Sequence, residues 1–407
     1  MSASVVLSRD YHGHGAQQPS QQQQQLLHQQ GPLPAVRAYM LIEDDVHGVI
    51  ELPTHIQEIV EHPLFQRLKK IHQLGLVPWV IAPQANHKRY DHCLGTYKSA
   101  QDHLRAIERN SKYEAKLPDW CRKAVEIAAL LHDIGHGPMS HVWERVCQQH
   151  FDHEENALDC VDRIFKDARH SELVALRDKG SGRGVQLIKA LILGDTEYLT
   201  FPMMGHAYIF DIVHNHRCGL DVDKWDYLRR DNKRLEILGP EEMDFDDIFL
   251  KARISPDGQR IEYRFDDYHR IYALFEARGR LHVEAYQHPR NAAAEQIFVD
   301  LVQRLAPQVV DLRSNDAGWL NLYDDHILKL IENDAMAAYF REPQRVVELP
   351  SVDGSGADVL PISRIIEGPG CVMKPDKAFA FYGDKRKKRQ INRCLSATTF
   401  NKCYTLE

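Results

Sequence analysis

Apolar positions recur at helical spacing through most of the stretch between residues 50 and 310. Ile56, Ile59 and Val60 follow Thr54 and Gln57, whose T-x-x-Q spacing predicts a capping box at a helix start. Pro63 suits the first turn of a second helix, with Leu64, Leu68 and Ile71 at i, i+4 and i+7 and Gly75 as its stop. Ala124, Ile127, Ala128 and Leu131 form another stripe, capped by Asp119 and ended by Gly135, Gly137 and Pro138. Ile271, Leu274, Leu281 and Ala285 mark a further helix, and Ile297, Leu301 and Leu305 one more. Strands do not alternate with helices as a parallel sheet requires, so the expected fold is mainly α. From about residue 345, Pro, Gly and β-branched residues rise (VVELPSVDGSG, GPGCVMKP, KAFAFYG). The organisation expected is a disordered Gln-rich tail over 1–37, one large domain over 38–340, and a small α+β C-terminal lobe over 341–407 with a regulatory or oligomerising role.

Composition narrows the class. Of 407 residues, 43% are hydrophobic and 27% charged, ordinary for a soluble globular chain. No run approaches the ~18 apolar residues of a membrane span. The start, MSASVVLSRDYHGHG, lacks the basic and apolar regions of a secretory signal. Eight Cys occur without a C-x-x-C pair, which argues against a zinc ribbon or disulfide framework and for a reducing compartment, nucleus or cytoplasm. A net charge of −7 disfavours a surface built for nucleic acid, though not a local basic pocket. Nine of the fourteen residues from Gln17 to Gln30 are Gln, too little apolar surface to offset ordering, so a solvated tail is expected; a coiled interaction segment is the alternative.

The chemistry concentrates between His87 and His153, which hold eight of the 23 His. The segment ALL-His132-Asp133-IG-His136-GPMS-His141 ends an apolar helical stripe in glycines. Ionisable groups at the end of a buried helix are costly unless paired or metal-bound. On a helix His132 and Asp133 stand about 100° apart and can reach one ion, with His136 one turn on. Two more spaced sets stand out: Asp223, Tyr227 and Asp231, and Arg278, His282 and Tyr286, each at i, i+4, i+8. A face of Arg, His and Tyr fits a triphosphate and sugar; a solvated face gives the same spacing.

Taken together, RYDHCLG (89–95), ALLHDIGHGPMSH (129–141), HEENA (153–157) and GLDVDKWDYLRRD (219–231) resemble, in order and spacing, the HD-domain phosphohydrolases. HGVIEL, FQRL, QLG and AYQH extend the match, which runs from about 45 to 310 and is nearest to the deoxynucleoside triphosphate triphosphohydrolases. No SAM domain is expected ahead of it; the Gln-rich tract stands in that place. The resemblance implies a helical HD fold and a divalent metal ion (Zn, Fe, Mn or Mg) held by His92, His132, Asp133 and Asp223. It implies His141, Glu144 and His153 as a proton relay, with Glu144 where relatives have Asp, and His136 at the α-phosphate. Arg89, Lys224 and Arg278 carry over as phosphate contacts, and Gln73, Leu74, Asp231, Tyr286 and Gln287 as sugar and base contacts. Tyr286 is expected to crowd a 2′-hydroxyl.

The expected reaction is hydrolysis of a deoxynucleoside triphosphate to deoxynucleoside and triphosphate. Alternatives are another HD nucleotide phosphohydrolase, such as a 5′-nucleotidase, or a non-catalytic scaffold for single-stranded nucleic acid. A homo-oligomer, dimer or tetramer, follows from the resemblance. Relatives place Lys, Asn and Asp where this chain has Met40, Glu43 and Glu61, and Arg where it has Lys69 and Asp247. Gln66, Lys69 and Arg264 remain, so weakened or absent guanine-nucleotide activation is expected. The run Lys385–Arg389 suits an activating phosphate, a nuclear import patch or a solvated loop.

Overall fold

A computed structural model describes residues 39–309 (Lys179 and Met204 apart), 316–340 and 381–382. The Gln-rich tail, the Lys385–Arg389 run and, but for 381–382, the expected C-terminal lobe lie outside the described residues. The fold is mainly α, as the periodicity predicts.

The described part opens with a hairpin of β1 (Tyr39–Asp44) and β2 (Gly48–Pro53). Its turn is set by Asp44, whose Oδ1 accepts the Val46 and His47 N–H groups at 2.9 and 2.8 Å, and by Gly48 at φ +69°. This turn presents His47. Next come α1 (Thr54–Glu61) and the short α2 (Pro63–Arg67). The expected capping box does not form. Thr54 Oγ1 instead meets His170 Nε2 at 2.9 Å, and Gln57 Nε2 donates to the Leu52 carbonyl at 2.8 Å. The second helix also ends early: after Arg67 the chain tightens to a 3₁₀ turn over Leu68–Lys70.

The centre is α3 (Arg89–Asn110) packed on α4 (Asp119–Leu131). The core of α4 is apolar nearly all round, with Ala124, Val125, Ile127, Ala128, Leu130 and Leu131 buried, and that is why it lies inside the fold. Asp119 is its first residue, not its cap. Beyond follow α5 (His141–Cys147), α6 (His153–Asp167), α7 (Arg183–Leu193), which covers α4, and α8 (Val222–Leu235), which lies against α3. Strands β3 (Arg253–Ile254) and β4 (Ile261–Arg264) are antiparallel, and β5 (Phe381–Tyr382) joins β4 in parallel. Then come α9 (Tyr268–Leu281), α10 (Pro289–Leu305) and α11 (Asp324–Ile331). Among the described residues no helix is long and apolar enough to cross a membrane.

Two departures from helical spacing matter. The His132–Asp133 pair does not lie on α4: His132 is its C-cap, and Asp133 begins the turn beyond. After α9 the chain widens into a π-helical turn over His282–Tyr286, closed by Gln287 N–H donating to the His282 carbonyl at 2.6 Å.

Candidate functional site

Three segments meet where α3, the turn after α4 and the start of α8 converge. His92 Nε2 stands 3.1 Å from Asp223 Oδ1 and 3.2 Å from His132 Nε2. Asp133 Oδ2 lies 3.4 Å from His92 Nε2 and 3.5 Å from His132 Nε2. His132 Nε2 is 3.5 Å from Asp223 Oδ1. Each imidazole is tied back through its other nitrogen. His92 Nδ1 donates to Asp226 Oδ2 at 2.7 Å, and His132 Nδ1 to the Ala129 carbonyl at 2.8 Å. With Nδ1 so engaged, each ring, once its other proton is given up, turns its Nε2 lone pair toward Asp223, with Asp133 facing both imidazoles, a donor set that fits a divalent cation. The charges interlock. Burial disfavours charging His92, but Asp223, Asp226 and Asp133 outweigh it and hold the ring up to about 10. Burial likewise opposes ionisation of Asp223, and the two imidazoles hold its carboxyl well below the usual range. Asp133 is shared: besides facing the imidazoles it pairs with Arg89, and its Oδ1 is 3.2 Å from His136 Nε2.

The layer behind this cage was not read from the sequence. Asp226 is fully buried and accepts from four donors: His92, His47 Nε2 at 2.7 Å, and Arg230 Nε and Nη2 at 2.8 and 3.0 Å. Arg230 also pairs with Asp44 at 2.9 Å, so the hairpin turn and α8 jointly hold the acceptor that orients His92. Gly95 makes room for it. A Cβ there would sit 1.9 Å from Asp226 Oδ1 and 2.4 Å from Arg230 Nη2. The signal available in the sequence was the i, i+4 pair Asp226–Arg230, one step round the helix from Asp223.

A second cluster lies on the other side of Asp133. His136, His141, Glu144 and His153 bring one donor each within 4.8 Å of one another. Glu144 Oε1 accepts from His153 Nδ1, and its Oε2 is 3.6 Å from His141 Nδ1. The His136 and His153 rings stack at 4.0 Å and 14°. His136 Nδ1 is buried and finds no hydrogen-bond partner among the described residues. Burial, then Arg89 and His153, drive the His136 pKa well down, whereas Glu144 raises that of His153 against the pull of burial. Gly135 and Gly137 allow this turn to pack: a Cβ would meet the His153 carbonyl at 2.0 Å and the Trp143 ring at 2.1 Å respectively. Met139 and Ser140 follow at φ +56° and +58°. Asp324, far along the chain, holds them by accepting from Met139 N–H at 2.7 Å and from His72 N–H and Nδ1 at 2.7 and 2.6 Å.

The cations and tyrosines stand around these clusters. Arg89 Nε donates to Ser140 Oγ at 2.8 Å and Nη2 reaches the Gln73 carbonyl at 3.4 Å. Lys224 Nζ is 3.1 Å from both Asp221 oxygens; burial opposes its charge, yet Asp221 raises it to about 12. Arg278 Nε donates to Tyr227 Oη at 2.8 Å. Tyr286 Oη donates to Asp231 Oδ2 at 2.6 Å, and Asp231 Oδ1 is 2.7 Å from His87 Nε2. The two spaced sets therefore face each other, joined by Tyr227–Arg278 and Asp231–Tyr286. His282 lies at the opening of the π turn, its pKa pushed down to about 3 by burial and Arg278. Gln73 Oε1 and His282 Nδ1 are further buried atoms without a partner among the described residues. Leu74 packs half-buried against the core, and Gln287 closes the π turn.

Residues 89–200 match the family described as HD domain. Among curated proteins the chain is similar to the deoxynucleoside triphosphate triphosphohydrolase SAMHD1 of Xenopus laevis, 30% identical over 296 residues, covering 66% of this chain and 46% of that protein. The human protein of that name is 30% identical over 276 residues, 64% of this chain and 44% of its own length. The Dictyostelium discoideum homologue is 29% identical over 300 residues, 72% and 54%. The chain thus spans about half the length of these relatives. Residues 89–200 are accordingly an HD domain, and the chain is a homologue, over about two thirds of its length, of proteins named deoxynucleoside triphosphate triphosphohydrolase.

Proposed function

We propose that the protein hydrolyses deoxynucleoside triphosphates to deoxynucleoside and inorganic triphosphate with a divalent metal ion held by His92, His132, Asp133 and Asp223. The observation that carries this is the convergence of His92, His132 and Asp223 at 3.1–3.5 Å, with Asp133 3.4–3.5 Å from both imidazoles, beside Arg89 and the Glu144–His153 pair. Held by these residues, such an ion would supply positive charge at the phosphoryl group and acidify water. The chain does the rest. Arg89, Lys224 and Arg278 bind phosphate oxygens through charge-assisted bonds. Glu144 keeps a proton on His153 for the departing 5′ oxygen, with His141 beside it. His136, kept neutral, contacts the α-phosphate. Tyr286, anchored by Asp231, closes the space a 2′-hydroxyl needs, with Gln73, Leu74 and Gln287 around sugar and base.

The test is incubation of purified protein with each deoxynucleoside triphosphate and Mg²⁺, Mn²⁺, Fe²⁺ or Zn²⁺, with His132→Ala as control. Intact triphosphate among the products supports the reading; monophosphate cleavage alone, or turnover surviving in the control, overturns it. A homo-oligomer in the nucleus or cytoplasm goes with this reading, resting on resemblance, and light scattering tests the oligomer. Guanine nucleotides are expected to activate weakly, because Asp247, paired with Lys251 and with Arg270 at 2.6 Å, puts an acid where relatives have Arg. Clear sigmoid activation by GTP would refute that.

A further inference from the structure

We infer that His87 is a positioning residue for sugar selection: it fixes Asp231, and through Asp231 the Tyr286 phenol that closes the site against a ribose. The inference rests on the proposed reading, in which Tyr286 faces the sugar. His87 lies in the loop ahead of α3 and is 5% exposed, and Asp231, on α8, is 1% exposed. His87 Nε2 is 2.7 Å from Asp231 Oδ1, and Tyr286 Oη donates to Asp231 Oδ2 at 2.6 Å. One carboxylate thus links a loop, a helix and the π turn, each oxygen taking one donor. Among the described residues no Lys or Arg pairs with it. Carboxylate oxygens accept, so His87 Nε2 carries the proton and Nδ1 the lone pair. That Nδ1 is buried and finds no partner among the described residues. An unpaired buried nitrogen is costly, and an apolar ring would fill the space without it. What the imidazole adds is the donor to Asp231.

The two ends of this chain of bonds are anchored independently. The His87 carbonyl accepts the Gln73 N–H at 3.0 Å, and Arg89 N–H donates to the Ile71 carbonyl at 3.0 Å. The Tyr286 carbonyl accepts from Asn291 Nδ2 at 2.8 Å. The soft point is the Asp231 side chain between them, whose terminal torsion is broad. Without the His87 donor, Oδ1 becomes a buried acceptor with nothing to accept, and the carboxylate turns to relieve it. The phenol then loses its fixed acceptor and yields to a 2′-hydroxyl.

The test compares deoxyadenosine and adenosine triphosphates on the full chain loaded with divalent metal. His87→Phe keeps a ring and removes the donor; His87→Gln restores an N–H at about the reach of Nε2. A pocket wall rejects an added hydroxyl by about 10²-fold. His87→Phe is therefore expected to lower the deoxy-to-ribo ratio of kcat/KM by about 10-fold or more, through a lower KM for the ribonucleotide, and His87→Gln to recover most of it. Metal stoichiometry is expected to stay as in wild type. Thermal unfolding establishes that the variants fold, and His87→Asn, whose amide stops short of Asp231, repeats the loss should His87→Phe not fold. Calorimetric Kd values for the α,β-imido analogues of both nucleotides repeat the comparison without turnover. An unchanged ratio in His87→Phe, a His87→Gln no better than His87→Phe, or no deoxy preference in the wild-type Kd values overturns the inference. Turnover with selectivity untouched sinks the inference and leaves the proposed reaction standing. Deoxy-selective binding that His87→Phe loses, with no triphosphate released by wild type, does the reverse.

Discussion

Replacing Asp226 by Asn tests whether the cage depends on its backing. The carboxylate takes four donors, with His92 and Arg230 Nε on Oδ2 and His47 and Arg230 Nη2 on Oδ1. An amide has one accepting end. With its oxygen toward His92, its NH₂ opposes His47 and Arg230; turned over, its NH₂ opposes His92 Nδ1–H and drives that ring to the tautomer with its proton on Nε2, where the cage needs a lone pair. Removing such a partner from a metal-binding His costs about 10–100-fold in metal affinity, or roughly 1.4–2.7 kcal/mol. Stability falls as well, but by less than the ~3–5 kcal/mol of a fully orphaned buried charge, because Arg230 keeps Asp44 at 2.9 Å. The assay is a competitive metal titration alongside thermal unfolding of the metal-free protein. If Asp226→Asn melts lower yet binds metal as tightly as wild type, Asp226 is scaffold alone and the orienting argument is wrong.

Other perturbations reach the same groups by different routes. Gly95→Ala drives a methyl to 1.9 Å from Asp226 Oδ1 and is expected to cost about 1–3 kcal/mol in thermal unfolding, together with a loss of metal affinity like that of Asp226→Asn. Unchanged affinity would separate the two sites. Asp324→Asn weakens the hold on the left-handed Met139–Ser140 turn that launches α5; kcat is expected to fall by about 10²-fold with KM little changed, and an equal effect on KM would contradict a positioning role. The Glu144–His153 pair sets a pH dependence. Burial lowers the His153 pKa but Glu144 outweighs it, so the folded value is raised. The stabilisation is complete below the unfolded pKa and is lost as pH rises through the folded one. On the proposed reaction the alkaline limb of kcat belongs to this proton, and Glu144→Gln is expected to move it to lower pH; an unmoved limb assigns the proton elsewhere.

What the sequence made legible were side chains that the structure brings together, and the physical reason is that each sits in a short run whose neighbours serve it. In RYDHCLG the same few residues carry Arg89, His92 and the Gly95 that lets Asp226 approach. Helical spacing likewise placed Asp223, Tyr227 and Asp231 on one face of α8, and the structure sets Tyr227 and Asp231 against the helix bearing Arg278 and the turn bearing Tyr286. Spacing failed where the backbone leaves the α-helix. The His132–Asp133 pair is held just past the end of α4, and the π turn at His282–Tyr286 sets five residues where the i+4 rule assumes a tighter turn. It failed again where a partner is remote. His47 meets Asp226 across 179 positions and Asp324 meets Met139 across 185, and no local pattern marks either pair.

These remote contacts share a logic. A donor can be specified by the residues beside it, but the geometry of a donor is decided by what its second atom touches, and in this fold that atom reaches a different segment. His92 shows the division: Nε2 belongs to a motif, whereas Nδ1 belongs to a carboxylate held by a hairpin turn and by α8. A chain keeping every motif residue but losing His47 or Asp44 is therefore expected to retain the fold and the donor set while binding metal more weakly, because Asp226 would lose a clamp on one side and swing from His92. His47→Ala tests this with the least disturbance, since Arg230 still holds the carboxylate; a metal affinity equal to wild type would show that Arg230 alone fixes Asp226 and that the hairpin is incidental to the cage.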